Sequence, residues 1–206
     1  VADDVQIEAR VDESLEILDR AIAEYRPSHV FAMFSGGHDS LTATAITARH
    51  PRFDGAVHIN TGIGIEATRE FVRETCEKHE WPLLEYGPPE TLGQKTYREL
   101  VLEYGFPGPA QHPMMFTRLK ERGVRALVRD HKEDEKDKIL LSTGIRLQES
   151  VRRLRNYANA TTDGEHYARE GAKVWANPIA TWSKTDCHDL IDWLKLDRNP
   201  VVDLMH

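Results

Sequence analysis

Residues 8 to 25 place Ala9, Val11, Leu15, Ile17, Leu18, Ile22 and Ala23 near helical spacing, with Asp and Glu between them. That pattern predicts an amphipathic helix, which Pro27 stops. Apolar Val30 to Phe34 predicts a first strand, followed by the polar turn SGGHDS and a helix from about 39 to 49. Gly55 to Ile59 predicts a second strand ending in Asn60-Thr61-Gly62, then a helix from about 65 to 79. Trp81 to Tyr86 reads as a third strand, closed by Gly87-Pro88-Pro89, with a helix over 91 to 104. This repeating order of strand and helix predicts a parallel sheet with helices on its faces.

The section from Gly105 to Lys138 breaks the repeat. GFPGPAQHP is turn-rich, and helical pieces over 113–121 and 123–131 precede a charged run, Lys132 to Lys138. It reads as a helical insertion, with the charged run as a solvated loop. The strand Ile139 to Ser142 resumes the pattern, followed by Thr143-Gly144 and a helix over 146–155. Asn156 to Gly171 is polar and reads as loop; Lys173 to Ala176 reads as a short strand. Ser183 is a plausible N-cap for a helix to Leu194, and the chain stops soon after Asn199-Pro200.

Composition narrows the class. With 206 residues, 40% hydrophobic and 30% charged, the chain fits one globular domain, with a helix over 8–25 and a core of about 28–195. A net charge of −7 argues against a nucleic-acid coat or a membrane-surface protein, while leaving room for a local basic groove. No apolar run of about 18 residues is present and the N-terminus is acidic, so neither a membrane span nor a secretory leader is expected. Cys76 and Cys187 form no CxxC, which suggests a reducing, cytoplasmic setting and no iron–sulfur or structural zinc site. The histidines show no HExxH spacing, so no histidine metal site is expected.

The chemistry concentrates where strands end. In open α/β sheets, ligands bind outside the carboxyl ends of the strands. Three predicted strands end in small polar turns: Ser35-Gly36-Gly37-His38-Asp39-Ser40 after Met33-Phe34, then Asn60-Thr61-Gly62, then Thr143-Gly144. Adjacent glycines let the backbone approach a ligand, and Asp39 or Ser40 is expected to cap the following helix. A loop entering a helix N-terminus favours phosphate, although an ordinary turn has the same composition. The loop lacks the lysine of a Walker A motif. After the third turn, Arg146 and Arg153 lie seven residues apart on one predicted helix face, with Glu149 between them to orient either guanidinium. Guanidinium groups match phosphate or sulfate in a bidentate fashion.

SGGHDS resembles the S-G-G-x-D-S signature of the PP-loop ATP pyrophosphatases, the adenine nucleotide alpha-hydrolase-like superfamily. GIRLQESVRR, from Gly144 to Arg153, is similar to the G-I-R-x-x-E-S-x-x-R motif of the phosphoadenosine phosphosulfate (PAPS) reductase group within it. HINTG at 58–62 and NPIATWSKTDCHDLIDWL at 177–194 resemble two further segments of that group, in the expected order, over roughly 28–203. The resemblance implies an open, mainly parallel, twisted Rossmann-like sheet with helices on both faces. It implies that Ser35 to Ser40 hold the phosphate or sulfate end of ATP or PAPS, with backbone near Ala32 to Phe34 and His58 to Asn60 around adenine and ribose. Thr61 and Gly62 would line the pocket, Gly144 would allow close approach, and Arg146 and Arg153 would neutralise the anion. Asp39 is the nearest carboxylate for Mg²⁺.

The chain lacks the E-C-G-[LI]-H tail whose cysteine attacks sulfur in PAPS reductases, so a truncated C-terminal tail stays open. Cys76 and Cys187 read as packed thiols. The favoured reading is cleavage of ATP between its α- and β-phosphates to adenylylate an acceptor in sulfur or nucleic-acid modification metabolism. Ser40, Arg146 and Asp39 are its expected catalytic residues. The alternatives are a PAPS or adenylylsulfate reductase whose cysteine tail lies elsewhere, and a non-catalytic nucleotide-binding subunit with a protein partner. Nucleic acid enters only as an acceptor, and homo-oligomerisation stays open.

Overall fold

The computed structural model describes residues 4–87, 89–108, 117–149 and 166–204. Helix α1 spans Asp4–Tyr25, longer than its apolar pattern suggested, because Ile7 extends the buried stripe of Val11, Ser14, Ile17, Leu18 and Ala21. Strand β1 (His29–Met33) leads into α2 (His38–Thr47), and β2 (Gly55–Ile59) into α3 (Glu66–Lys78). Strand β3 (Leu83–Tyr86) precedes a 3-10 turn, Pro89–Leu92, and α4 (Tyr97–Tyr104). A π-helical turn, Thr117–Glu121, runs into α5 (Arg122–His131) and then β4 (Ile139–Ser142). After a 3-10 turn, Leu147–Glu149, come β5 (Tyr167–Glu170), β6 (Lys173–Ala176), α6 (Lys184–Trp193) and α7 (Pro200–Leu204).

The described strands form one six-stranded sheet in the order β3-β2-β1-β4-β6-β5. All neighbours are parallel except β5, which pairs antiparallel with β6 at the edge. The α/β class and the mainly parallel sheet are therefore as expected. Alternation along the strands assigns the two faces. Val30, Leu140 and Val174 pack under Ile17, Leu18 and Ala21 of α1, while Ala56 meets α2 and α3 through Leu41, Ala45, Val72 and Cys76. Phe31, Val57, Ile139 and Leu141 point the other way, onto Val124 and Leu127 of α5. Strands covered on both faces are continuously apolar, as parallel strands are.

Helix α2 is buried on nearly every side, between the sheet, α1 and α6. Its threonines remain satisfied because Thr44 and Thr47 donate to the carbonyls of Ser40 (2.7 Å) and Ala43 (2.6 Å). Thr47 also meets Ser142 of β4 at 2.8 Å.

Several expectations change. The helix expected over 91–104 is split: Gly93 adopts φ +63°, and a capping box between Thr96 and Glu99 restarts the chain as α4. The section read as an insertion supplies, in α5, the cover for the second face of the sheet. Part of the polar stretch 156–171 is a strand, β5, joined to β6 by a Gly171-Ala172 turn with Gly171 at φ +63°. The first part of the 113–121 piece and most of the helix expected over 146–155 lie outside the described residues. Among the described residues, no helix is long and apolar enough to cross a membrane.

Ser183 caps α6 as expected, accepting from the Asp186 N–H at 3.1 Å while Asp186 accepts from the Ser183 N–H. Ser183→Ala is expected to cost about 1 kcal/mol. Leu140→Ala, in the fully buried centre of the sheet, is expected to cost about 2–5 kcal/mol. Urea midpoints with wild-type slopes measure both; a smaller loss for Leu140→Ala than for Ser183→Ala would contradict the packing described.

Candidate functional site

The strand order runs outward from β1 toward β3 on one side and from β4 toward β5 on the other, so the loops after β1 and β4 flank the switch point. The loop after β1 is Phe34 to Gly37. Its N-cap to α2 is Gly37, with no side-chain cap, so neither Asp39 nor Ser40 takes the expected capping role. Ser40 instead staples the loop: its hydroxyl donates to the Gly37 carbonyl (2.8 Å) and accepts from the Ser35 N–H (3.2 Å) and the Ser35 hydroxyl (3.0 Å). Gly36 adopts φ +86°, and a Cβ there would lie 2.7 Å from Thr68 Cγ2, so the loop demands glycine. The Leu41 N–H to Gly37 carbonyl bond is the first of the helix, which leaves the N–H groups of His38, Asp39 and Ser40 without intrahelical acceptors. They form the positive end of α2, facing out of the strand ends.

The loop after β4 closes against this one. A Cβ on Gly144 would fall 2.6 Å from the carbonyl carbon and oxygen of Asp39 and 2.7 Å from the Ser40 nitrogen. Gly144 thus permits contact between two protein loops. Arg146, 8% exposed, follows it, and its Nε lies 2.9 Å from the Asp39 carboxylate. This ion pair links the third turn to the first. Thr143 hydrogen-bonds Asn177 at the end of β6, extending the chain of contacts one strand further.

The loop after β2 is braced from the other side. His58 is buried, and its Nδ1 lies 2.9 Å from the Phe34 carbonyl, which can only accept, so Nδ1 carries the proton. Burial pushes the His58 pKa down despite that bond, so the ring is uncharged near neutrality. Asn60 donates to Glu85 (2.9 Å) and accepts from the Gly62 N–H (3.0 Å), which folds Asn60-Thr61-Gly62 into a tight turn with Gly62 at φ +75°. Glu85 in turn holds Arg73 through two contacts of 2.9 Å, which keep its carboxyl below the ordinary range. Glu85 and Arg73 were not singled out by sequence; their only mark there is charge on a predicted strand and helix.

The structure therefore brings together Met33, Phe34, Ser35 to Ser40, Asn60 to Gly62, Gly144 and Arg146 at the strand ends. Met33 and Phe34 serve the core as much as the site: Met33 packs toward α5, and Phe34 lies among Phe71 and Trp81. Glu149 closes the 3-10 turn after Arg146, and Arg153 lies outside the described residues. Among the described residues no group of three or more His, Cys, Asp or Glu could hold a metal ion. Asp39, the expected Mg²⁺ ligand, faces Arg146; a single carboxylate already paired with a guanidinium fits a brace better than a metal cage.

A family model for the phosphoadenosine phosphosulfate reductase domain matches residues 29–204. The chain belongs to that family. A search of curated proteins gives no match. Among solved structures, a PAPS reductase from Candida auris in a phosphate complex is similar over 100% of this chain and 94% of its own, at TM-score 0.65 and 15% identity. An NH3-dependent NAD synthetase from Campylobacter jejuni, with a nitrate ion, aligns over 95% of this chain and 75% of its own at TM-score 0.63 and 14% identity. The FMN adenylyltransferase of Candida glabrata, with FAD and inorganic pyrophosphate, has TM-score 0.61 and 10% identity; the match covers 98% of this chain and 63% of that protein. At these identities the likenesses speak for the fold alone; the family that the model matches falls within the PP-loop, adenine nucleotide alpha-hydrolase-like superfamily. PAPS reductase family members are enzymes that act on adenine nucleotides.

The two cysteines sit away from the open side of the site. Cys187 on α6 is fully buried, and burial, then the Asp39 carboxylate, push its thiol up to about 12. Burial alone pushes Cys76 on α3 up to about 12.

Gly144→Ala tests the contact between the two loops. Its Cβ meets backbone rather than a flexible side chain, so one loop must shift. The expected cost is about 1–3 kcal/mol of stability in urea, with weaker adenine-nucleotide binding by calorimetry. Wild-type stability and affinity together would show that the two loops do not touch as described.

Proposed function

We propose that the chain binds ATP with its phosphates against Gly36 to Ser40 and the N-terminus of α2, and cleaves it between the α- and β-phosphates. An acceptor oxygen forms a bond to the α-phosphorus while the bond from that phosphorus to the bridging oxygen breaks. Pyrophosphate leaves with the electron pair, and the acceptor's proton passes to solvent. The acceptor belongs to sulfur or nucleic-acid modification metabolism, in the reducing cytoplasm. The residues of this chain act by position and charge. Amide N–H groups of the loop and of α2 neutralise the leaving pyrophosphate. Ser40 holds the loop in shape, and the Asp39–Arg146 pair fixes the third turn beside it. Mg²⁺ enters as the counter-ion of the nucleotide phosphates.

The observation that carries this reading is the combination of an anion-shaped loop at the switch point with thiols that cannot serve it. A thiolate is the nucleophile in sulfur reduction, and thiols raised to about 12 supply almost none near pH 7. The adenylyltransferase of the same fold, with its pyrophosphate, lends support from the chemistry in its name. A second reading, reduction of PAPS with a cysteine from outside this sequence, is favoured by the family model and by the PAPS reductase likeness.

The test is product analysis with ATP labelled at the α- and γ-phosphates, beside calorimetric titration with ATP·Mg²⁺ and with PAPS. The expected products are pyrophosphate and AMP or an AMP adduct, with ATP binding tighter than PAPS. ADP with orthophosphate, or tighter PAPS binding, would count against cleavage at the α-phosphate. Arg146→Ala is expected to weaken ATP binding at least about tenfold, the scale of one charge-assisted contact, with circular dichroism intact.

A further inference from the structure

The loop after β1 is held from a direction that neither the PP-loop motif nor the strand ends account for. Asn199, at the far end of the chain, is fully buried against it. Its Nδ2 donates to the Gly36 carbonyl at 2.9 Å and lies 3.3 Å from Thr68 Oγ1 on α3. Its Oδ1 accepts from the Val201 N–H at 3.0 Å, and its carbonyl accepts from the Val202 N–H at 3.1 Å. Pro200 follows at the first position of α7, where a missing N–H costs nothing. The amide has one workable orientation. Turned over, it would set its oxygen against the Gly36 carbonyl and its N–H groups against the Val201 N–H.

The consequence lies on the other side of a peptide bond. In a trans peptide the carbonyl and the next residue's N–H point in opposite directions. Asn199 draws the Gly36 carbonyl inward, toward α3 and α7, where Gly36 is buried; Gly37 is only half-buried. With glycine on both sides, this peptide plane has little else to stop it from rotating.

We propose that Asn199 is a positioning residue for the phosphate loop, fixing the Gly36–Gly37 peptide so that the Gly37 N–H faces the anion. This deepens the reading above, on which the presence of an anion rests; the orientation of the peptide does not depend on it. The segment from Arg198 to Val201 is then part of the site's framework. Arg198 supports this placement, reaching Asp192 on α6 at 2.7 Å and the His188 ring at 3.5 Å, and that ring packs edge-on against His38, at the start of α2, with centroids 5.0 Å apart.

Asn199→Asp separates positioning from mere packing. Aspartate keeps the size and the acceptor for the Val201 N–H but loses the donor to Gly36. Two readouts are taken: calorimetry with inorganic pyrophosphate, and the Gly37 amide resonance of the unliganded protein in ¹⁵N spectra. The expected result is pyrophosphate binding weaker by about five- to tenfold, the worth of one hydrogen bond. The Gly37 resonance should move while α7 resonances stay in place. Should the added charge unfold the chain, Asn199→Ser keeps an uncharged cap for Val201 and carries the same readouts. Wild-type pyrophosphate affinity in the folded variant would overturn the proposal, as would an unmoved Gly37 resonance. If the wild-type chain itself fails to bind pyrophosphate, the anion reading falls, and the Gly37 resonance alone decides the role of Asn199.

Discussion

The site depends on a close approach of backbone to backbone. Gly144 presses against Asp39 and Ser40 at a distance that no side chain allows, and that contact sets the turn after β4 beside the first turn of α2. Everything chemically useful is arranged around it. Arg146 follows directly and reaches back to Asp39. Ser40 closes the glycine loop from within. Ser142, one strand residue before Thr143, is tied to Thr47 at the other end of α2. The helix is thereby fixed to β4 at both of its ends, and its N-terminal N–H groups stay aimed along the strand ends.

Charge in this framework is largely compensated before any ligand arrives. Asp39 answers Arg146, and Glu85 answers Arg73 while orienting Asn60. His58 is kept neutral by burial, although it touches the loop's first carbonyl. Such pairs hold geometry; they add little net field. On the proposed reading, the attraction for an anion comes from oriented amides at a helix end, which need no reorganisation when a phosphate enters. Cys187, buried behind the site, acts as a packing atom: it lies against Thr42 and Asp39, and its raised pKa keeps it uncharged beside that carboxylate.

Much of this was legible in the sequence, because parallel strands buried on both faces write themselves as apolar runs ending in small polar turns. The ends of β1, β2 and β4 were placed to within a residue, and Ser183 was read as the N-cap of α6. What escaped was carried by residues whose roles depend on distant partners. Strand β5 is polar and at an edge, with a single fully buried side chain, Tyr167; only the Gly171-Ala172 turn before an apolar run marked it. Asn199 was given no role from the sequence; Asn followed by Pro can cap a helix, but nothing local says that its amide crosses to Gly36. Gly144 was read as room for a nucleotide, and its contact with Asp39 and Ser40, made across a long stretch of chain, left no separate mark in the sequence.

Hydrogen–deuterium exchange with and without ATP·Mg²⁺ tests most directly where the nucleotide binds. The account predicts protection concentrated in residues 34–40, 60–62 and 142–146, the turns after β1, β2 and β4. Protection confined instead to the shallow charged groove lined by Arg125, Arg129 and Lys173, between α5 and the β5–β6 hairpin, would contradict it.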